Sequence, residues 1–329
     1  MGIVCVRAKR TGCAILTVLA VAACVPSAPA PRRVAAFVPE VLPPGMRAPA
    51  ALPQVTPSTC DPRASSLRPR EALPAPGRMP SGSTMERILR RGYLTAGVDQ
   101  NLNLLGFREP KTGELAGYDI DFVREIARAI FGDPAKVKFR TVTSENRIKV
   151  LEKGEIDIIA DSMTINCERL QQVLFTTVYF EAGQRVMIRE GEPYRSIDDL
   201  GGKRVCAPAG TTSIRTIAES KSRPIPVSVV DWTDCVLLLQ QGQVDAISTT
   251  DGILVGLLAQ DPTTVMVGPR FTDEPHGLAI AKTAPDFVRF VNAVLEQMRG
   301  DGRWRSIYAK WLTTLGPVPE PPPARYLNE

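Results

Sequence analysis

With 329 residues the chain is long enough for two domains, and a hydrophobic content of 44% with a mean hydropathy of −0.04 describes a soluble globular protein. Its 40 Lys and Arg against 35 Asp and Glu give a mild, scattered net charge of +5, and aromatics are only 6%, which sets aside nucleic-acid partners and base-stacking surfaces. A single histidine, His276, and cysteines without CxxC spacing exclude His-dependent triads and metal sites, and "PAGTTS" (208–213) lacks the lysine of a P-loop, so no cofactor is expected.

The chain opens with Arg7, Lys9 and Arg10 ahead of an apolar stretch over 14–23. That stretch is too short to span a bilayer and has the length of a signal-peptide core. It ends in Val21-Ala22-Ala23-Cys24, which resembles a bacterial lipobox. Residues 1–23 are therefore read as a lipoprotein signal peptide and Cys24 as the lipidated first residue, against the alternative of an ordinary signal that contains a cysteine. Fourteen of the 29 prolines then fall within residues 25–80. Such a segment cannot order itself by burying apolar surface. Residues 24–82 read as a disordered, Pro-rich tether that holds a globular body at the extracytoplasmic face of a bacterial cell membrane.

Periodicity returns at residue 83. "STMERILRRG" (83–92) predicts a short capped helix and "YLTAGVD" (93–99) a strand; "ELAGYDIDFVREIARAIFG" (114–132) predicts a turn and an amphipathic helix stopped by glycine. "VKFRTV" (137–142) is a predicted strand, "NRIKVLEKGE" a helix and "IDIIAD" (156–161) a buried strand. After residues 175–190 the alternation restarts with "KRVCAPAG", "TTSIRTIAES", "IPVSVV", "TDCVLLLQQGQ" and "VDAISTTD". Two successive βαβαβ sets imply two α/β lobes. The last stretch, 286–316, is helical and is expected to pack back on the first lobe.

An internal echo links the lobes. "VLEKGEIDIIADSMT" (150–164) and "LLQQGQVDAISTTDG" (238–252) each run helix, glycine, acid-led strand, then hydroxyl and acidic residues. Ligands of open parallel sheets bind at the carboxyl ends of strands, so both stretches aim polar groups at one cleft if the lobes face each other. Between about 90 and 312 the chain resembles the solute-binding proteins of polar amino-acid ABC transporters (extracellular solute-binding protein family 3). The resemblance rests on "GYDIDFVREIA", "TSENRIKVLEKGEIDIIADSMTINCER", "FEAGQRVMI", "IDDLGGKRVCAPAGTTS", "GQVDAISTTDGILVG" and "GRWRSIYAKWL". It is closest to lipid-anchored glutamine/glutamate-binding proteins of actinobacteria, mycobacterial ones included. The resemblance implies an α/β type II periplasmic-binding-protein fold with two crossover strands and the ligand cleft between the lobes. Lobe 1 is expected over 83–181 and 273–316, lobe 2 over 182–272, and a C-terminal tail over 317–329, with hinges near 181–185 and 271–276.

An amino-acid zwitterion needs a planar cation and a nearby anion. In "DSMTINCER" (161–169), Arg169 would fork onto the α-carboxylate, with the Ser162 and Thr164 hydroxyls completing the contact. Its alternative is a solvated helix charge, a placement the macrodipole disfavours in a first turn. Asp251 is the expected ammonium partner, although Thr250 occupies the neighbouring position where the family often has an acid. Thr211, Thr212 and Ser213 open a helix whose N–H groups would close on the α-carboxylate. For the ligand side chain, the resemblance points to Arg147 with Ser144 beside it, as in acidic-ligand binders, and to Asp99, as in glutamine binders. Both signals stand, and a pocket for aspartate, glutamate, asparagine and glutamine fits them. Leu102 and Ser144 sit where relatives often carry a ring.

Four cysteines remain after acylation of Cys24. Cys206 and Cys235 belong to one expected lobe, which makes their bridge the economical one and leaves Cys60 with Cys167; buried thiols are the alternative. The resemblance implies a monomer that closes on its ligand and presents it to an ABC permease, or reports occupancy to a membrane receptor. Enzyme activity is not expected, since no carboxylate in the cleft stands free of the zwitterion roles.

Overall fold

The computed structural model describes residues 42–50, 52 and 59–328. The expected leader, 1–23, and the expected acylation at Cys24 lie outside the described residues. The first lobe begins with α1 (Thr84–Arg91), capped by the Ser83 hydroxyl and ended by Gly92 in the left-handed region, and β1 (Leu94–Val98). A small antiparallel sheet of β2 (Asn101–Leu102), β3 (Gly106–Arg108) and β4 (Leu115–Ala116) leads into α2 (Tyr118–Phe131). Then follow β5 (Val137–Thr141), α3 (Arg147–Glu152), β6 (Ile158–Ile159) and β7 (Val173–Phe175).

The chain crosses to the second lobe through β8 (Phe180–Ala182) and continues as β9 (Gln184–Arg189), β10 (Arg204–Pro208), α4 (Thr212–Glu219), β11 (Ile225–Val229), α5 (Trp232–Gln240), β12 (Ala246–Thr250), α6 (Asp251–Leu258) and β13 (Thr264–Val267). It returns through β14 (Glu274–His276), adds β15 (Ala279–Ala281) to the first sheet, and finishes with α7 (Pro285–Gly300) and α8 (Arg303–Trp311).

Each lobe carries a five-stranded sheet, ordered β5-β1-β6-β15-β7 in the first and β11-β10-β12-β9-β13 in the second. In both orders three parallel strands are followed by a fourth that runs antiparallel to both its neighbours, so the fifth runs with the first three. The repeated stretches of the sequence become β6 and β12, the middle strand of each order, so the echo marks equivalent positions in two copies of one plan. The crossover strands β8 and β14 pair with each other, with His276 opposite Phe180 and Glu274 opposite Ala182. This is a type II periplasmic-binding fold. Among the described residues no helix is long and apolar enough to cross a membrane.

Two differences from the sequence expectation bear on the site and its surroundings. Asp251, read as a strand end, is the first residue of α6, a helix absent from the predicted set because its apolar residues, Ile253 to Leu258, show no helical stripe. The tether expectation for residues 24–82 also fails over its last part. Cys60 is bonded to Cys167, Ser66 is buried and donates to the Phe175 carbonyl, and Leu67, Leu73 and Met79 lie against the core. Further upstream, Arg47 and Ser228 exchange two backbone hydrogen bonds of 2.9 Å, and the Ala50 N–H donates to Pro226 O. Prolines prevent a segment from ordering itself, but they tolerate an edge position where only alternate N–H groups are needed. Here the lobes supply the partners. The second disulfide, Cys206 to Cys235, ties β10 to α5 inside the second lobe.

Candidate functional site

The carboxyl ends of β6 and β12 face each other across the cleft. The turn after β6 is held by Asp119 at the start of α2: its carboxylate accepts from Ser162 N and Oγ, both 2.8 Å, and from Tyr179 Oη at 2.6 Å. This grip keeps Ser162 at φ +42°, a left-handed conformation rare for a residue with a side chain. Burial pushes the Asp119 carboxyl up to about 6, against the pull of those donors. Ser162 therefore reaches the cavity with its hydroxyl proton already given to Asp119. It can accept a hydrogen bond there, and the expected donation to a ligand carboxylate is corrected.

Arg169 is buried, in a single 3-10 turn, Arg169–Gln171. No α-helix starts here, so the macrodipole argument for its function does not apply. Its Nη1 donates to Thr164 O (2.7 Å) and its Nη2 crosses the cleft to Gly210 O (3.2 Å). Burial, with the positive charge of Arg147 nearby, lowers its pKa to about 9, still cationic at neutral pH. Arg147 is equally buried and pairs with Asp161: Nη1 donates to the Asp161 carbonyl (2.8 Å) and to Oδ2 (2.9 Å). Its Nε is buried with no hydrogen-bond partner among the described residues.

From the second lobe, Thr211 caps α4 by accepting from Ile214 N, and Thr212 Oγ1 lies 3.4 Å from Thr164 Oγ1 across the cleft. Both of those threonine hydroxyls donate to Oε2 of Glu274, at 2.6 Å from Thr164 and 2.7 Å from Thr212. Glu274 stands on crossover strand β14 and is buried. Thr250 Oγ1, at the end of β12, is buried and unpartnered among the described residues.

These groups surround one cavity, together with Ser144, Leu102, Ser213, Thr249, Ile253 and Trp232. Its volume is ≈ 20 Å³, room for about one water molecule. An amino acid therefore enters only if the lobes part. A larger cavity of ≈ 670 Å³ adjoins it, sharing Ser144, Arg169, Thr211 and Thr212, and its lining includes parts of α3, α4 and the end of β11 as well as residues 45, 47 and 52. The buried charges Arg147, Asp161, Arg169 and Glu274 converge on the smaller cavity, whereas apart from Arg169 the charges of the larger one are exposed or half-buried, so the site is placed in the smaller despite its size.

Seven expected ligand residues come together in this way: Ser144, Arg147, Ser162, Thr164, Arg169, Thr211 and Thr212. Two do not. Asp251 does not line the cavity. Its carboxylate accepts from Arg270 Nε at 2.5 Å and from Gly252 N at 3.0 Å, and its position at the first turn of α6 suits an anion. Asp99 also lies outside the lining, with Oδ1 bound to Asn101 N. Burial and the neighbouring charge of Asp161 push its carboxyl up to about 7. Asp161 itself is raised by burial, opposed by Arg147.

The sequence reading missed Asp161, Glu274 and Trp232. Trp232 follows β11 at its carboxyl end, the position that the strand-end rule singles out. Glu274 carried a weaker signal, an acid inside the expected hinge. The cavity lining does contain one ring, that of Trp232, from the second lobe.

A family model described as bacterial extracellular solute-binding proteins, family 3, matches residues 94–314. The chain is 37% identical over 230 residues to the ABC transporter glutamine-binding protein GlnH of Bacillus subtilis, covering 70% of this chain and 84% of the relative. It is 28% identical over 256 residues to the L-glutamate/L-aspartate-binding protein of Pseudomonas aeruginosa, covering 74% of this chain and 83% of the relative. Among solved structures, a mutant of ArgBP from T. maritima matches with a TM-score of 0.64 and 29% identity, over 70% of this chain and 99% of that one.

Proposed function

The chain belongs to the bacterial extracellular solute-binding proteins, family 3, and on that premise we propose that it binds aspartate, glutamate, asparagine or glutamine between its lobes. It is a binding protein, not an enzyme. The observation that carries the reading is the cavity's charge plan: Arg147 and Arg169 against Asp161 and Glu274, all buried around one small space. Buried charges persist only when paired, and a zwitterion adds one charge of each sign.

Arg169 takes the α-carboxylate, helped by the α4 N-terminus at Thr211 and Thr212. Glu274 takes the ammonium, because Asp251 is turned to Arg270 and Thr250 offers only a hydroxyl. Arg147 and Ser144 meet the ligand side chain. The larger adjoining cavity is the entry route, since Arg169 lines both spaces. Closure then forms contacts between lobes, such as Arg215 Nη1 to Glu168 Oε2 at 2.9 Å, and the ligand shifts the population by binding the closed form more tightly. In the cell the protein works as a monomer, anchored by lipid on Cys24, and delivers its amino acid to an ABC permease. Relatives named as ABC-transporter components support that setting.

Calorimetry of the mature chain with the four amino acids tests the reading. Micromolar or tighter binding of at least one is expected, weakened in Arg169→Ala by about 2–5 kcal/mol as a buried charge contact is lost. Failure of all four to bind, or undiminished binding by the variant, refutes it.

A further inference from the structure

Arg63 lies outside the cavity, in the 3-10 turn Pro62–Ala64, yet it touches one crossover strand and the residue that leads into the other. Its Nε and Nη2 donate to the Glu181 carboxylate on β8, at 3.2 and 2.6 Å. Its Nη1 and Nη2 donate to the Asp273 carboxylate, at 2.7 and 2.6 Å. Asp273 immediately precedes Glu274. Only a guanidinium, with five donors in a planar fork, holds two carboxylates in this way. The two carboxylates raise its pKa above the usual arginine value. Without it, two like charges would stand at neighbouring positions of the β8–β14 pair, where Pro275 opposes Glu181.

The backbone that carries Arg63 is itself fixed. Cys60 is bonded to Cys167, two residues from Arg169, and Ser66 Oγ donates to Phe175 O at 2.7 Å. Thirteen or more residues upstream, Arg47 and Ala50 hydrogen-bond to Ser228 and Pro226 on β11, the edge strand of the other lobe. One stretch of chain ahead of the first helix thus grips the first lobe, the second lobe and the crossover region between them.

We infer that residues 47–50 and 60–66 brace the two lobes as a third connection that favours the closed cleft, with Arg63 as its positioning residue. By holding Glu181 and Asp273 together, Arg63 fixes the strand that presents Glu274 to the cavity. Opening a two-lobed protein requires its crossover strands to change dihedral angles, and a shared double fork opposes that change. The effect on ligand affinity rests on the proposed amino-acid binding; the effect on the crossover strands does not.

The test compares the mature chain with Arg63→Met and Arg63→Lys. Without ligand, backbone amide exchange over 180–184 and 271–276 is expected to quicken at least tenfold in Arg63→Met and less in Arg63→Lys, while β1 and β10 exchange as before. In calorimetry with L-glutamate and L-glutamine, the dissociation constant of Arg63→Met is expected to rise about threefold to thirtyfold, a modest population shift. Unchanged exchange in both crossover strands overturns the inference. So does faster exchange spread equally over β1 and β10, which marks a general loss of stability. If the parent binds none of L-glutamate, L-glutamine, L-aspartate and L-asparagine, the functional reading fails, and selective exchange in Arg63→Met still upholds the brace.

Discussion

Gly256 offers a perturbation that separates closure from folding. It lies inside α6 of the second lobe, and a Cβ built there would stand 2.2 Å from Asn103 O in the first lobe. Ordinary C···O contacts are about 3.3 Å or longer, so the lobes must separate by about 1 Å at this point. The obstruction is backbone, which cannot swing aside. Within the helix itself, alanine is favoured over glycine by roughly 0.5–1 kcal/mol. Gly256→Ala is therefore expected to leave the unliganded protein as stable as the parent or more so. Its closed form carries an overpacking cost of about 1–3 kcal/mol, the usual range for one added carbon in a tight contact. That corresponds to roughly fivefold to 150-fold weaker ligand binding. Calorimetry reads the affinity, thermal unfolding reads the stability, and small-angle scattering reads a wider mean opening. An affinity within twofold of the parent would refute the closed-form contact. A lower melting temperature would show instead that the helix was damaged. Gly210 makes a similar approach, 2.7 Å from Glu145 Cα, but its φ of +77° would add backbone strain and confuse the result.

The ammonium assignment predicts that Glu274→Gln weakens binding at least tenfold in calorimetry, whereas Asp251→Asn changes it less than threefold. The reverse order would return the role to Asp251. A pH prediction concerns His276, whose pKa is lowered to about 3 by burial and then by the charges of Arg147, Arg169 and Arg270. A depressed histidine adds stability that is complete above its unfolded value near 6.5 and is lost as pH falls from there towards 3. Urea unfolding of the parent and His276→Gln should show the parent's advantage shrinking over that window; a constant difference would count against the buried neutral ring. Asp99 and Asp119 have raised values of about 7 and 6 and titrate in the opposite sense, losing stability as pH rises, so the difference between the proteins is the measurement.

Much of this architecture was legible because it is local. Gly92 and Gly132 end helices in the left-handed region at the positions where the periodicity stops. The echo of β6 and β12 could be read because both strands need the same apolar run followed by polar residues. The site was legible in part. Arg169, Thr164 and the α4 N-terminus follow from strand ends and helix starts, which are sequence-local facts. The placement of Asp251 does not. It follows Thr250 directly, and at the strand-to-helix junction that one step takes a side chain out of the cavity lining. Nothing in residues 246–252 says where the helix begins, because the apolar run of α6 lacks a polar face.

The N-terminal segment failed for a different reason, and the contrast bears on how the protein works. Composition reports whether a segment can order itself; it is silent on whether another part of the chain will order it. Residues 60–66 have no core of their own, yet a disulfide, a buried serine and one arginine fork place them. That placement falls on the strands that must bend. With Thr250 in place of an acid and Asp161 paired with Arg147, the proposed partner of a ligand ammonium is Glu274, which stands on one of those strands. A ligand held by Glu274 would load the hinge directly, where an acid at the end of β12 would load only the second lobe. Recognition and closure would then depend on the same short strand pair, and Arg63, one residue away from that carboxylate through Asp273, connects both to the segment ahead of the first helix.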